Sequence, residues 1–176
     1  STPGSTATLA GLTTSAILAD TLTINGSLGS ATALVAIGDS AKTVAANINT
    51  NSNITGVTAT ARTEIDATAL TANGSFSLAV ISDNSTAVTV SFSVGSPLNA
   101  DTLAAGIQAF NDKSSQTGVT AKINSAGNGI TLTNETGADL KITNNSAAGN
   151  SVTIGTPAVT PAAVGYVTGS LVVDSD

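Results

Sequence analysis

The sequence predicts an α+β, β-rich fold of two tandem lobes, each a short helix packed on an antiparallel sheet or meander. Three observations predict it. First, a segment with helical spacing that ends in Thr-Gly-Val-Thr-Ala occurs twice, as DSAKTVAANINTNSNITGVTA (residues 39–59) and DTLAAGIQAFNDKSSQTGVTA (residues 101–121). The two copies align without a gap, with Gly118 standing 62 residues after Gly56, and a repeat of this kind is a sign of duplicated architecture. Second, the stretches around both copies alternate apolar and polar residues as half-buried strands do. Third, aromatics make up only 2% of the 176 residues, so the core must be built from Ala, Val, Ile and Leu and must be thin.

Taken in order, residues 1–11 are small and polar, broken by Pro3-Gly4, and read as an opening segment. Residues 15–25 are expected as a strand with Leu22 and Ile24 on one face; Asn25-Gly26 signals a turn, and residues 32–37 return as its partner. The first helix follows. Asp39 and Asp101 are placed to accept from the first free N–H groups of the two helices. Ala41, Val44, Ala45 and Ile48 form the buried stripe of one, and Leu103, Ile107 and Phe110 that of the other. Gly56 and Gly118 take the backbone turn that side chains resist, and Val57 and Val119 open strands. The repeat motif therefore comprises Asp39, Ile48, Gly56 and Val57 in one copy and Asp101, Phe110, Gly118 and Val119 in the other.

Residues 57–65 are expected as one extended strand, with Val57, Ala59, Ala61, Thr63 and Ile65 on a common face. Phe76, Leu78 and Val80, then Val88, Val90, Phe92 and Val94, alternate with small hydroxyl residues and predict a hairpin whose apolar face is covered by the second helix. After that helix, residues 119–124, 130–133 and 140–143 predict a meander. Pro157 and Pro161 bracket an expected linker, and residues 166–173 an edge strand returning beside the N-terminal residues. The domain division is residues 1–66 for the first outer lobe, closed by the C-terminal strand, 67–156 for the second, and 157–176 for the linker and return strand.

Composition narrows the chemistry. There is no Cys, Met, Trp or His, which removes disulfides, thiolate and imidazole metal ligands, and the usual general base near neutral pH. Five Lys and Arg, scattered along the chain, face eleven Asp and Glu, which argues against nucleic acid and against an anionic membrane surface. Apolar runs such as residues 33–37 are too short to span a bilayer. No basic, apolar leader opens the chain; export without a cleaved signal peptide is an expectation that only the family resemblance below implies.

Glu64 and Asp66 fall on the same side of a strand, as a catalytic carboxylate pair would, but the aromatic-lined cleft of a glycosidase is not foreseen, and a solvated sheet face is the expected reading. Ser40 and Lys42 are neighbours that do not face each other on a helix, which gives no serine–lysine site. Asp83, Asn84, Asn128 and Asp139 lack the spacing of a calcium loop and read as turn residues. No catalytic residue, metal or cofactor is assigned.

The sequences DTLTING (residues 20–26), SAKTVAANIN (residues 40–49) and GVTATA (residues 56–61), with GVTAKINSAGNGITLTNETGADLKITNN (residues 118–145), resemble the repeat in the variable central region of bacterial flagellins. Related repeats occur in filament-cap and hook-associated proteins. The resemblance implies a non-catalytic, extracellular outer domain of a flagellar filament subunit, cut out from between the long terminal helices that polymerise. It implies neighbouring flagellin subunits as partners, antigenic variation, contact with host or surface glycans, and O-glycosylation at exposed hydroxyls, which we place at Ser82, Ser85 and Thr86. The alternatives are an exposed domain of a cap or hook-associated protein, or a secreted carbohydrate-binding adhesin module.

Overall fold

Two short edge strands, β1 (Thr2–Pro3) and β2 (Ala7–Ala10), open the computed structural model, which describes residues 2–3, 7–10 and 17–175, the first two stretches by backbone alone. A hairpin follows, β3 (Asp20–Asn25) and β4 (Ser30–Val35). The expected strand start at residues 15 and 16 lies outside the described residues. Next come α1 (Ala41–Thr50), the single turn α2 (Ser52–Thr55) and the long strand β5 (Val57–Thr68). The second copy repeats the order: hairpin β6 (Ser75–Ile81) and β7 (Val88–Ser93), helix α3 (Ala100–Asp112), turn α4 (Ser114–Thr117) and strand β8 (Thr120–Ile123). The remaining strands are β9 (Ile130–Asn134), β10 (Leu140–Asn144), β11 (Val152–Ile154), β12 (Ala158–Val159), β13 (Val164–Thr168) and β14 (Ser170–Ser175). The chain is thus α+β and β-rich, with short helices on antiparallel sheets.

Both copies of the repeat close with the same hydrogen bonds. Gly56 (φ 73°) and Gly118 (φ 74°) hold the left-handed conformation that ends the helical turn, donating to the Ser52 and Ser114 carbonyls. The Thr55 and Thr117 hydroxyls accept from the Val57 and Val119 N–H groups, both at 3.1 Å, which turns the chain into the strand. Asn49 then grips Ala59 on both backbone groups (2.8 and 2.7 Å), and Asn111 grips Ala121 in the same way (3.0 and 2.8 Å).

The helix starts differ from the expectation. Ser40, not Asp39, caps α1, accepting from the Thr43 N–H at 3.2 Å, because the Asp39 carboxylate is turned back to the Ala36 N–H at 2.8 Å. Asn99, not Asp101, caps α3 through a reciprocal capping box with Thr102. Asp101 falls in the first turn, where its charge meets the positive end of the helix dipole.

Three sheets result. Strands β2-β13-β10-β6-β7 form one of five; β1-β14-β5-β11-β12, with β9 on β5 and β8 on β9, form one of seven; β3 and β4 pair alone. The expected meander breaks after β9. That strand has β8 on one edge and β5 on the other, so β10 cannot add to it and crosses to lie between β6 and β13. The expected single return strand is two strands divided at Gly169: Val167 on β13 enters the larger core, whereas Leu171 and Val173 on β14 pack on the smaller one. Nor are residues 157–163 a bare linker, since β12 pairs with β11 and buries Val159.

The apolar core falls into two clusters. The smaller joins Ala33, Val35, Val44, Ala45 and Ile48 to Val57 and Ala59; the larger gathers Phe76, Phe92, Phe110, Leu103, Ile130 and their neighbours. Strand β5 serves both, with Val57 and Ala59 in one and Ala67 in the other. Phe92 stacks on Phe76 with ring centroids 5.4 Å apart and meets Phe110 at 6.0 Å, so all three phenylalanines sit in the larger cluster.

Candidate functional site

The carboxylates of Glu64 and Asp66 lie side by side on β5, opposite Thr133 and Thr131 of β9. The Thr131 hydroxyl donates to Asp66 at 2.6 Å, the Thr133 hydroxyl to Glu64 at 3.3 Å, and the Arg62 guanidinium bridges Glu64 (2.8 Å) to Glu135 (3.2 Å). A shallow depression of about 320 Å³ beside them is lined by Lys122, Ile123 and Ser125 and by no aromatic ring. Each carboxylate is held by hydroxyls, and Glu64 also by a cation, on an open sheet face. This arrangement holds the two carboxylates by hydrogen bonds and one ion pair.

A second network joins α1 to the tip of the β6–β7 hairpin, between the two apolar clusters. Asp83, at the tip of the β6–β7 hairpin, pairs with Lys42 of α1 (3.6 Å) and accepts from the Thr136 hydroxyl (2.8 Å). Ser82 accepts from the Asn134 amide at 2.7 Å and is half-buried, whereas Ser85 and Thr86 are exposed. Of the three hydroxyls proposed for glycans, two therefore face solvent and the third is engaged. The Lys42 N–H also bonds the Gly137 carbonyl at 3.0 Å, so α1 is tied to the β9–β10 connection by main chain and to the β6–β7 hairpin by side chain. Ser40 and Lys42 are committed to the cap and to Asp83 respectively.

Beside this junction a cavity of about 320 Å³ is lined by Ser40, Ile81, Ser82, Asp139, Lys141 and Tyr166. The Tyr166 hydroxyl donates to Asp139 at 2.8 Å. Burial first, then the hydrogen bond and negative charge of Asp139, push the phenol well above the usual tyrosine range. The turn residues weighed for calcium are spread over separate networks: Asn84 closes its own hairpin loop, and Asn128 bonds Asn124. Among the described residues no three carboxylate, thiol or imidazole groups come together to hold a metal ion. No helix among them is long and apolar enough to cross a membrane.

A larger, more apolar cleft of about 420 Å³ separates β3 from β14, with Leu22, Ile24, Ile48, Val57 and Val173 on its walls. The Asn clasps, the Asp83 junction and the Tyr166–Asp139 pair were missed by sequence reasoning. Only the clasps had a readable signal: an Asn ten residues before the strand residue it grips, repeated at the same offset of 62. No protein-family model matches the chain, and no curated protein matches its sequence. The chain is α+β and β-rich, and the charged groups at these sites are engaged by ion pairs (Lys42–Asp83, Arg62–Glu64, Arg62–Glu135) and by hydroxyls.

Proposed function

We propose that this chain is a non-catalytic, surface-exposed outer domain of a flagellar filament subunit, acting outside the cell as a scaffold that presents a hydroxyl-rich, acidic face. The observation that carries the reading is the duplicated helix–glycine–strand unit with the same clasp, cap-turn and glycine bonds in both copies, on residues that resemble the flagellin repeat. Support also comes from the polar face of the β6–β7 hairpin, where Thr89, Ser91 and Ser93 turn hydroxyls to solvent. In this reading the partners are neighbouring subunits, glycans are carried on Ser85 and Thr86, and the exposed face varies without disturbing either core. Neither Glu64 nor Asp66 performs catalysis.

Peptide mapping by mass spectrometry on purified filaments from the source cells tests it. The proposal expects peptides of this chain at the abundance of the main filament subunit, with excess mass on the peptide holding Ser85 and Thr86. Trace abundance would assign the chain to a cap or hook-associated protein. Absence from filaments would leave the adhesin reading.

A further inference from the structure

The two hairpins that precede the helices finish their outer edges differently. On β4, Asn47 donates to the Leu34 carbonyl (2.9 Å) and Asn51 to the Thr32 carbonyl (3.2 Å), so α1 closes that edge. The residues 62 positions later are Ala109 and Lys113. Ala109 has no donor, and among the described residues no side chain bonds the backbone of β7. The parity of β7 follows from the Val94 N–H, which donates to the Gly74 carbonyl at 3.0 Å. Val88, Val90 and Phe92 therefore exchange bonds with β6, and Thr89, Ser91 and Ser93 turn their N–H and C=O groups away from the sheet. All three are exposed. Elsewhere the repeat closes its strand edges with Asn49 on β5 and Asn111 on β8. The strand Val-Thr-Val-Ser-Phe-Ser carries neither a charge nor a proline, the devices that keep free edges apart.

We propose that β7 pairs antiparallel with β7 of a second copy of this chain, about a two-fold axis through Ser91. This register sets Ser91 opposite Ser91 and Thr89 opposite Ser93, each pair exchanging both of its backbone hydrogen bonds. It joins two five-stranded sheets into one of ten strands. An axis perpendicular to the sheet keeps the Val90 and Phe92 faces of both copies on one side and the hydroxyl faces on the other, so no apolar side chain is turned to water. The second copy fits because the edge is uncharged and self-complementary: no like charges meet. A contact of one strand pair is small, so association in solution is weak and is strengthened where copies are held close together. The inference does not rest on the filament reading.

Sedimentation equilibrium of the chain up to roughly 1 mM, with circular dichroism to verify folding, compares the wild type with Ser91→Lys and Ser91→Glu. Residue 91 is exposed, so neither change touches a core. The wild type is expected to dimerise reversibly, each charged variant to associate at least about tenfold more weakly through like charges across the axis, and an equimolar mixture of the two to recover the dimer. Hydrogen exchange on the wild type reads the same contact without substitution: the Thr89, Ser91 and Ser93 amides become protected as concentration rises. A wild type that stays monomeric, charged variants that dimerise as it does, or a dimer that leaves these three amides unprotected overturns the proposal.

Discussion

Asn49 and Asn111 each replace a missing strand partner with one side chain, which accepts from an amide and donates to a carbonyl of the same residue. Asn→Ala at either position leaves both backbone groups without that partner, and we expect a loss of about 1–3 kcal/mol, read from urea unfolding. The glycines separate two effects that sequence alone merges. Gly56→Ala meets the backbone penalty and tight contacts without a clash, to Leu28 Cγ at 3.1 Å and Ser27 Oγ at 3.2 Å, and should cost about 1–2 kcal/mol. Gly118→Ala adds a clash with the Asp83 carboxylate, which Lys42 and Thr136 hold in place, and is expected to cost more. Equal losses would show that the Asp83 network yields freely. Tyr166 is the only tyrosine in a chain without tryptophan, so its ionisation is read directly by ultraviolet absorbance. Its folded pKa is raised, so below pH about 10 the phenol is protonated in both states and the stabilisation is fully present. As pH rises above that value the unfolded chain releases the proton first, and stability falls. Tyr166→Phe should flatten this alkaline decline in a pH series of unfolding midpoints.

At the scale of elements, the repeat was legible because both copies obey one local grammar: a buried stripe, a glycine in the left-handed region and a β-branched residue to start the strand. Strand alternation also placed β5, β6, β7 and β9 close to their observed positions, since each has one face in a core. Pairing was less legible. Whether β10 follows β9 or leaves it depends on β5 already holding the other edge of β9, and that long-range bond leaves no mark on residues 134–140. The site was legible only in part, because Glu64 and Asp66 share a strand, whereas Asp83 meets Lys42, and Tyr166 meets Asp139, across distant segments. Helix starts were misplaced because Asp39 and Asp101 are good caps in isolation, and the better-seated Ser40 and Asn99 competed with them. This correction is testable. Asn99→Ala breaks the capping box and should destabilise by about 1 kcal/mol, whereas Asp101→Ala loses only a charge near the helix start and should cost less than about half of that. A reversed order in thermal melts would return the cap to Asp101.

For the whole molecule, two apolar clusters share β5 and are tied at their junction by the Lys42–Asp83 pair and the Lys42–Gly137 main-chain bond. Among the described residues the longest helix is α3, of 13 residues, and the filament-forming helices implied by the resemblance are much longer. The 176-residue chain alone should therefore form no flagellum-like filament, as electron microscopy of the purified chain would show. The most direct test of the central claim is immunogold electron microscopy of the source cells with antibodies raised against this chain. Gold along the full length of the flagellar filament is the predicted result. Gold confined to the filament tip or the hook, or to the cell body away from any filament, would contradict it.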